Sequence, residues 1–353
     1  MRKIILCLLS VMMLSCAVHA STVSASEDEL RQALPSDAGA LLDSAPPGSG
    51  FEDGIRSILE NALPLLDDAL HKAMKSSAIM LSALVLCAMA GAGEGSDAAL
   101  IAGVLSITAV GMLEMNALAS SGKEALLEMQ SFADLLLPAM AAATAASGGI
   151  TASTAIYAGT ALFTDILMRS MTYLLLPLLN IYVAISGAKA ICGNEMLSRL
   201  ADLVKWVFRS GIKTILFVFT AYLTITGLIS GAADATVLKA AKLTISGVVP
   251  VVGSMISDAS ETVIIGAATV KNAVGVFGML AVIAICIGPF LTIAGQYLLV
   301  KLTAAAGSAL GPKPLLGLVD AISESLGFLL AMTGAAALML LIACVCYLKV
   351  VPV

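Results

Sequence analysis

The hydrophobic residues of this chain fall into long runs that short polar segments separate. The first two runs cover about 77–92 and 98–119, and the turn Gly-Glu-Gly-Ser-Asp at 93–97 lies between them. A helix needs roughly 20 apolar residues to span a bilayer, so runs of this length predict transmembrane helices. We predict an all-α, polytopic membrane protein with about 6–8 spans. Some of its helices are expected to be re-entrant or broken, and the chain carries a weak two-fold internal repeat.

The first 20 residues form a run of a different kind. Arg2 and Lys3 precede an apolar stretch at 4–14, and Val-His-Ala at 18–20 is an acceptable cleavage site. This order is typical of a signal peptide, which we assign to 1–20. Two alternatives stay open, namely an uncleaved anchor and a lipoprotein processed at the Leu-Ser-Cys of 14–16.

Residues 21–75 are predicted to form an exported acidic segment. Its first part is polar and ends in the linker Pro-Pro-Gly-Ser-Gly at 46–50, and its second part, 51–75, carries apolar residues at helical spacing. This stripe consists of Ile55, Ile58, Leu59, Ala62, Leu63, Leu66, Ala69, Leu70 and Met74. The pattern predicts an amphipathic helix that lies on the membrane surface, docks to a partner, or packs on the bundle of its own chain.

The membrane part divides into two spans at 76–120 and two further units at 132–232 and 240–348. Three pairs of landmarks recur at one common offset: Pro138 with Pro250, Pro177 with Pro289, and Lys189 with Lys301. In each unit a segment broken by Pro and Gly comes first, and an amphipathic stretch and a final span follow. Duplicated units that open with a broken segment are the layout of many transporter folds.

The segment 240–278 is too apolar for a surface loop and too interrupted for one transmembrane helix. Pro250 removes a backbone donor, and charged residues follow it in the middle of the segment. Ionisable groups at membrane depth are costly unless they pair or face a wet cavity. The segment is therefore either a re-entrant hairpin that lines a pathway, or an interfacial amphipathic helix followed by an ordinary span.

Within this segment Asp258 and Glu261 are three residues apart and share a helix face. Two close carboxylates resist ionising together, which would suit a proton or cation site. Alternatively, Lys271 neutralises them, or they lie outside the membrane and are solvated. The candidate pathway, ion-binding or signature residues are Pro138, Pro250, Gly253, Ser254, Asp258, Glu261, Lys271 and Asn272. Separately, Asp165 and Arg169 are four apart and are expected to form an intramembrane pair.

Composition and charge support this class and suggest a topology. Hydrophobic residues make up 59% of the chain and charged residues 12%, whereas soluble domains carry roughly 25% charged residues. The chain is acidic, with a formal net charge of −5, so nucleic acid is not an expected partner. Five bases at 189–213 predict a cytoplasmic segment by the positive-inside rule. This places the N-terminal segment and the C-terminus on the exported side.

The chain contains none of the motifs that would indicate an enzyme. It has no P-loop, GxGxxG, HExxH or GxSxG pattern, and His71 is the only histidine beyond the predicted signal peptide. The cysteines show no metal-ligand spacing. We therefore predict no catalytic residue, metal or cofactor, and expect any energy input to come from a partner or an ion gradient.

The run VPVVGSMISDASETV, followed by KNAVGVFG, resembles the signature block of the stage III sporulation protein AE family. The resemblance implies a multi-pass protein of the mother-cell membrane that surrounds the forespore. It also implies a non-enzymatic scaffold or conduit of the channel complex between the two cells. The implied partners are the lipid bilayer, other membrane proteins of the complex with a separate ATPase, and further copies of the chain. The alternative, which the duplicated broken segments suggest, is a secondary transporter (permease) for a small solute or ion.

Overall fold

The structure, a computed structural model, describes residues 30–42, 51–90, 96–147, 150–248, 253–308 and 311–349. Over 226–248 and 253–271 it describes the helical backbone alone. Within these ranges the chain is almost entirely helical and contains no strand, which confirms the predicted all-α class. The predicted signal peptide, the linker at 46–50 and Pro250 lie outside the described residues.

Eight α-helices and one π-helical segment follow one another along the described ranges. They are α1 (Ser36–Leu42), α2 (Phe51–Ala90), α3 (Ser96–Ala146), α4 (Ile150–Arg169), the π segment (Ser170–Leu175), α5 (Leu176–Cys192), α6 (Glu195–Val248), α7 (Gly253–Gly307) and α8 (Lys313–Lys349).

Among the described residues, six helical stretches are long and apolar enough to cross a membrane. They are Phe51–Ala90, Asp97–Ala146, Ser153–Cys192, Glu195–Ile225, Asn272–Gly307 and Lys313–Lys349. This number lies within the predicted range and confirms a polytopic protein. Every stretch exceeds the roughly 20 residues that a span requires, so each helix is tilted or extends beyond the hydrocarbon.

Helices α7 and α8 form the centre of the bundle. They are the most hydrophobic of the candidate spans, and more than half of the most apolar window of each is buried inside the protein. Helix α2 runs parallel to α7, since Gly54 near the beginning of α2 lies against Leu280 in the middle of α7, and Leu84 lies against Gly307 near the ends of both helices. The strong apolar signal of α7 and α8 therefore reflects contact with other helices as well as with lipid.

Helix α2 continues without a break from the predicted exported segment into the first span. It passes through Pro64, whose side chain is exposed, and through the predicted boundary at residues 75 and 76. Ile58 and Ala69 are buried, whereas Leu59 and Leu63 are exposed. One side of the predicted apolar stripe thus packs on the bundle of its own chain, and the other side is left uncovered by it.

The π segment directly precedes Pro177, which explains its position. Proline has no N–H to donate to the carbonyl of the residue four positions earlier, Tyr173, and its ring crowds that carbonyl. The helix widens for one turn at Ser170–Leu175 and resumes α geometry at Leu176.

The predicted break at Pro138 is not a break in the helix. Helix α3 passes through Pro138 and ends at Ala146, and the two glycines that follow lie outside the described residues. In the predicted units a short turn joins α5 to α6, and another joins α7 to α8. The internal repeat itself stays a prediction.

Gly187 of α5 is expected to be intolerant of a larger residue, because α5 packs closely on α3 at this point. A Cβ at Gly187 would lie 2.8 Å from Thr108 Oγ1. We expect Gly187→Leu to destabilise the protein by about 1–3 kcal/mol through overpacking. The measurement is the thermal midpoint of the detergent-purified chain. Gly211→Leu is the control, because nothing lies within 4 Å of the position its Cβ would take; an equal midpoint for both variants would contradict the prediction.

Candidate functional site

A charged site forms where two helical hairpins meet, and a tight turn shapes its first half. Helix α5 ends at Gly193, whose φ of 60° is in the left-handed region and whose N–H donates to the Lys189 carbonyl at 2.9 Å. Asn194 Oδ1 then accepts the N–H of Met196 at 2.8 Å and caps the start of α6. Because the connection is so short, α5 and α6 lie side by side and present their polar residues to the same region.

The second half comes from the hairpin of α7 and α8. Lys301, near the end of α7, forms an ion pair with Asp320 of α8, with Nζ 2.9 Å from Oδ1. One turn further along α8 lies Glu324. The two hairpins thus place cations and carboxylates against each other across their interface.

Glu324 connects three helices through a single carboxylate oxygen. Its Oε2 accepts a hydrogen bond from Tyr182 Oη of α5 at 2.6 Å and lies 2.6 Å from Lys205 Nζ of α6. The Lys205 ammonium also lies 5.7 Å from the centre of the Tyr182 ring, within reach of a cation–π interaction. The side chains of Lys205 and Glu324 are only 31% and 36% exposed, so this pair is screened less than a surface ion pair.

A cavity of about 760 Å³ opens beside these residues, and both hairpins line it. Its charged residues are four lysines and four carboxylates: Lys189, Lys205, Lys301, Lys313, Glu195, Asp202, Asp320 and Glu324. The formal charges balance, so the cavity favours neither cations nor anions by net charge. It is a mixed-charge vestibule at the end of the bundle where α5 and α7 end and α6 and α8 begin.

Polar contacts continue from this site across the bundle. Gln296 Nε2 of α7 donates to Ser76 Oγ of α2 at 2.7 Å, and both residues are buried. Asn180 Nδ2 of α5 donates to Asn116 Oδ1 of α3 at 3.0 Å. Such hydrogen bonds between membrane helices contribute about 0.6–2 kcal/mol each and fix the rotation of one helix against the next.

The arrangement supplies an ion pair and a hydrogen bond that join the two hairpins. Among the described side chains, no three of the residue types that hold metals (His, Cys, Asp, Glu) come together in a metal-binding geometry. Glu324 is held by a lysine and a tyrosine and does not contact a serine or cysteine nucleophile in the interactions described above. What the site can do is lock two hairpins together and surround a small volume of water or polar solute.

Of the residues predicted from the broken segments, only Pro138 and Asn272 have described side chains, and neither lines the cavity. Pro138 is an exposed residue within α3. The backbone of α7 begins at Gly253 and passes through Ser254, Asp258, Glu261 and Lys271, whose side chains lie outside the described part, whereas Asn272 is exposed.

Asp165 and Arg169 form an ion pair on α4. Arg169 Nε lies 2.9 Å from Asp165 Oδ2, and the side chains of Arg169 and Asp165 are 73% and 49% exposed within the isolated chain. Arg169 is the last residue of α4, so the pair lies directly before the π segment. It neutralises its own charge on the surface of the bundle and is separate from the Lys205–Glu324 site.

Sequence reasoning missed the site, although one signal for it was present. Lys205 and Glu324 lie on the amphipathic stretches that occupy matching places in the two predicted units. A charged residue on each of two equivalent helices would have suggested a pair. Nothing in the sequence alone indicated that Tyr182 joins them.

Comparison with known proteins identifies a protein family whose sequences resemble this chain. The family profile described as Stage III sporulation protein AE (spore_III_AE) matches residues 70–350. The chain is also similar to the Stage III sporulation protein AE of Bacillus subtilis (strain 168), at 29% identity over 220 residues. That alignment covers 61% of this chain and 54% of the Bacillus protein, so it spans about half the length of the relative. No solved structure matches the chain.

Proposed function

Because the chain belongs to the stage III sporulation protein AE family, we propose that it is a non-enzymatic membrane subunit of the channel complex that joins mother cell and forespore. The observation that carries this proposal is the extent of the family match, which runs from α2 to the end of α8 and therefore takes in the helical bundle. In this role the bundle is a scaffold of the complex or lines its conduit.

The proposed location is the mother-cell membrane around the forespore. If all six candidate spans cross, the start of α2 and the end of α8 lie on the same side of the bilayer. The bases of α6 then lie in the cytoplasm by the positive-inside rule, and both ends of the chain lie in the space between the two membranes. This orientation turns the vestibule toward the mother-cell cytoplasm.

The proposed partners are other membrane proteins of the complex, a separate ATPase that supplies energy, and further copies of the chain. The support from the structure is the exposed apolar side of α2, where Leu59 and Leu63 are uncovered next to charged residues. Exposed apolar residues beside polar ones are typical of a protein contact.

The proposal is tested by replacing the corresponding gene of an endospore-forming host with this chain and with variants of it. We expect the chain to support heat-resistant spores, to collect at the membrane around the forespore as a fluorescent fusion, and to co-purify with channel proteins. Uniform distribution of the fusion throughout sporulation, together with normal spore yield when the gene is absent, would contradict the proposal.

The transporter hypothesis makes a different prediction, which concerns Asp258 and Glu261. A scaffold should tolerate Asp258→Asn and Glu261→Gln together, because a scaffold role needs no ionisable group at these positions. We therefore expect spore yield within about twofold of the unchanged chain, since each change keeps the shape of the side chain and removes only its charge. A large loss of spores with the complex still assembled would favour a transporter that uses these carboxylates. Co-purification of partners measures assembly in the same strains.

A further inference from the structure

A second groove lies between α6, α7 and α8 and shares Lys301 and Glu324 with the vestibule. Its volume is about 350 Å³, and three basic residues line it: Arg209 and Lys213 of α6 and Lys301 of α7. Its apolar wall includes Ile212 and Phe328. The groove therefore combines a basic rim with a hydrocarbon surface in a space large enough for a small polar group and part of a chain.

The positive charge of this groove is only partly compensated. Glu324 is the carboxylate that lines it, and Lys205 and Tyr182 already hold that group. Lys301 is paired with Asp320. Arg209 and Lys213 are exposed, and no ion pair to either is present within the described ranges. Arg209 and Lys213 thus line a groove in which, among the described residues, every carboxylate is already paired with another cation.

The residues that flank these bases on α6 are exposed aromatic residues of the kind found at a membrane interface. Trp206 and Phe217 are 66% and 74% exposed and lie on the same face of α6 as Arg209 and Lys213. Tryptophan is enriched where the headgroups meet the hydrocarbon, and an apolar run begins directly after Lys213. The bases therefore stand at the depth of lipid phosphates, with apolar side chains below them.

The groove is also lined by a serine, Ser323, and by an aromatic ring, that of Phe328. The buried Oγ of Ser323 has no hydrogen-bond partner in the described part of the chain. Phe328 stacks on Phe208 of α6, with ring centres 4.9 Å apart and the planes 12° from parallel. A buried hydroxyl without a partner is costly, so a ligand or ordered water that reaches it would lower the free energy of the folded chain.

We propose that this groove binds the phosphate of an anionic phospholipid, with Arg209 and Lys213 on the headgroup and the acyl chains along Phe217 and the apolar run of α6. A lipid fits better than a soluble anion because the basic rim is continuous with an apolar surface. Basic pockets between membrane helices are suited to anionic headgroups. The inference requires only that the chain spans a bilayer, and it does not depend on the proposed role in sporulation.

The single tryptophan of the chain makes a direct test available, because Trp206 lies one turn from Arg209. The full chain is placed in lipid nanodiscs that contain brominated phosphatidylglycerol or brominated phosphatidylcholine diluted with the unbrominated lipids. Bromine quenches tryptophan on contact, so the two series give the relative binding of the anionic and the zwitterionic lipid next to Trp206. We expect the unchanged chain to prefer phosphatidylglycerol severalfold.

Arg209→Gln and Lys213→Gln should each lower that preference by about fivefold or remove it. Each base near an anionic membrane surface strengthens binding by about that factor. Arg199→Gln is the matched control, because Arg199 is an exposed base of the same helix outside the groove. Three results would overturn the proposal: equal quenching by both lipids, an equal loss in the Arg199 variant, or displacement of the lipid by inorganic phosphate but not by chloride at the same ionic strength.

Discussion

Lys205→Glu is expected to destabilise the bundle and to abolish the contact between its two hairpins. The substitution places a second carboxylate beside Glu324, whose Oε2 lies 2.6 Å from Lys205 Nζ. Breaking a fully buried ion pair costs about 3–5 kcal/mol. The partial exposure of this pair reduces the expected loss to roughly 2–3 kcal/mol. The loss is measured as a lower thermal midpoint of the purified chain and as fewer heat-resistant spores in the replacement strain.

The charge-swapped pair separates electrostatics from a general disturbance of the site. We expect Lys205→Glu combined with Glu324→Lys to recover part of the stability, with a coupling energy of about 1–2 kcal/mol. Lys72→Glu is the control, because Lys72 forms a pair with Asp68 in which both side chains are largely exposed. That change should cost no more than about 1 kcal/mol. If the swapped pair is as unstable as the single variant, the ion pair is not what joins the hairpins.

Ile58→Asp is expected to prevent stable folding, whereas Leu59→Asp is expected to be tolerated. The two residues are neighbours on α2, but Ile58 is 0% exposed and Leu59 is 54% exposed. A carboxylate at position 58 would be buried without a partner, one turn from the place where Gly54 contacts Leu280, at a cost of at least about 4 kcal/mol. The amount of chain recovered from membranes and its thermal midpoint measure the difference.

The same pair of variants tests whether the exposed side of α2 docks to a partner. If it does, Leu59→Asp and Leu63→Asp should lower the co-purification of channel proteins while the chain itself stays folded. Leu66 is half-buried, so a charge there would disturb the bundle and a docking surface together and could not distinguish them. Unchanged co-purification with both exposed positions altered would exclude docking through this side of α2. Equal recovery of the Ile58 and Leu59 variants would instead contradict the packing of α2 on α7.

The class of the fold could be predicted from the sequence because the lipid bilayer restricts which backbone structures are stable. In a bilayer the backbone must satisfy its own hydrogen bonds, so long apolar runs have to form helices. Helix ends were harder to predict. Pro138 suggested a break, yet α3 continues to Ala146, since neighbouring helices hold a helix together at a missing hydrogen bond. In contrast, the effect of Pro177 on its helix is visible as the π segment.

The candidate site could not be predicted because its parts come from distant places in the chain. Tyr182 and Glu324 are separated by 142 residues and meet through one hydrogen bond. Periodicity assigns a residue to a face of its own helix but does not say which helix that face will meet. The carboxylates of Asp258 and Glu261 suggested a site because they interrupt an apolar run. Lys205 and Glu324, in contrast, lie on amphipathic stretches, where charged residues are ordinary.

The parallel packing of α2 on α7 has a consequence for the order in which the protein is assembled. The buried partner of Ser76 is Gln296, 220 residues later in the chain, so the first hairpin is made long before the surface that covers it. At a synthesis rate of about 5–20 residues per second, this interval is roughly 10–45 seconds. During that time α2 has to reside in the membrane with the side that packs on α7 uncovered and with Ser76 lacking its partner, which is the state that a membrane chaperone or insertase would meet. The bundle closes only when its last two helices arrive.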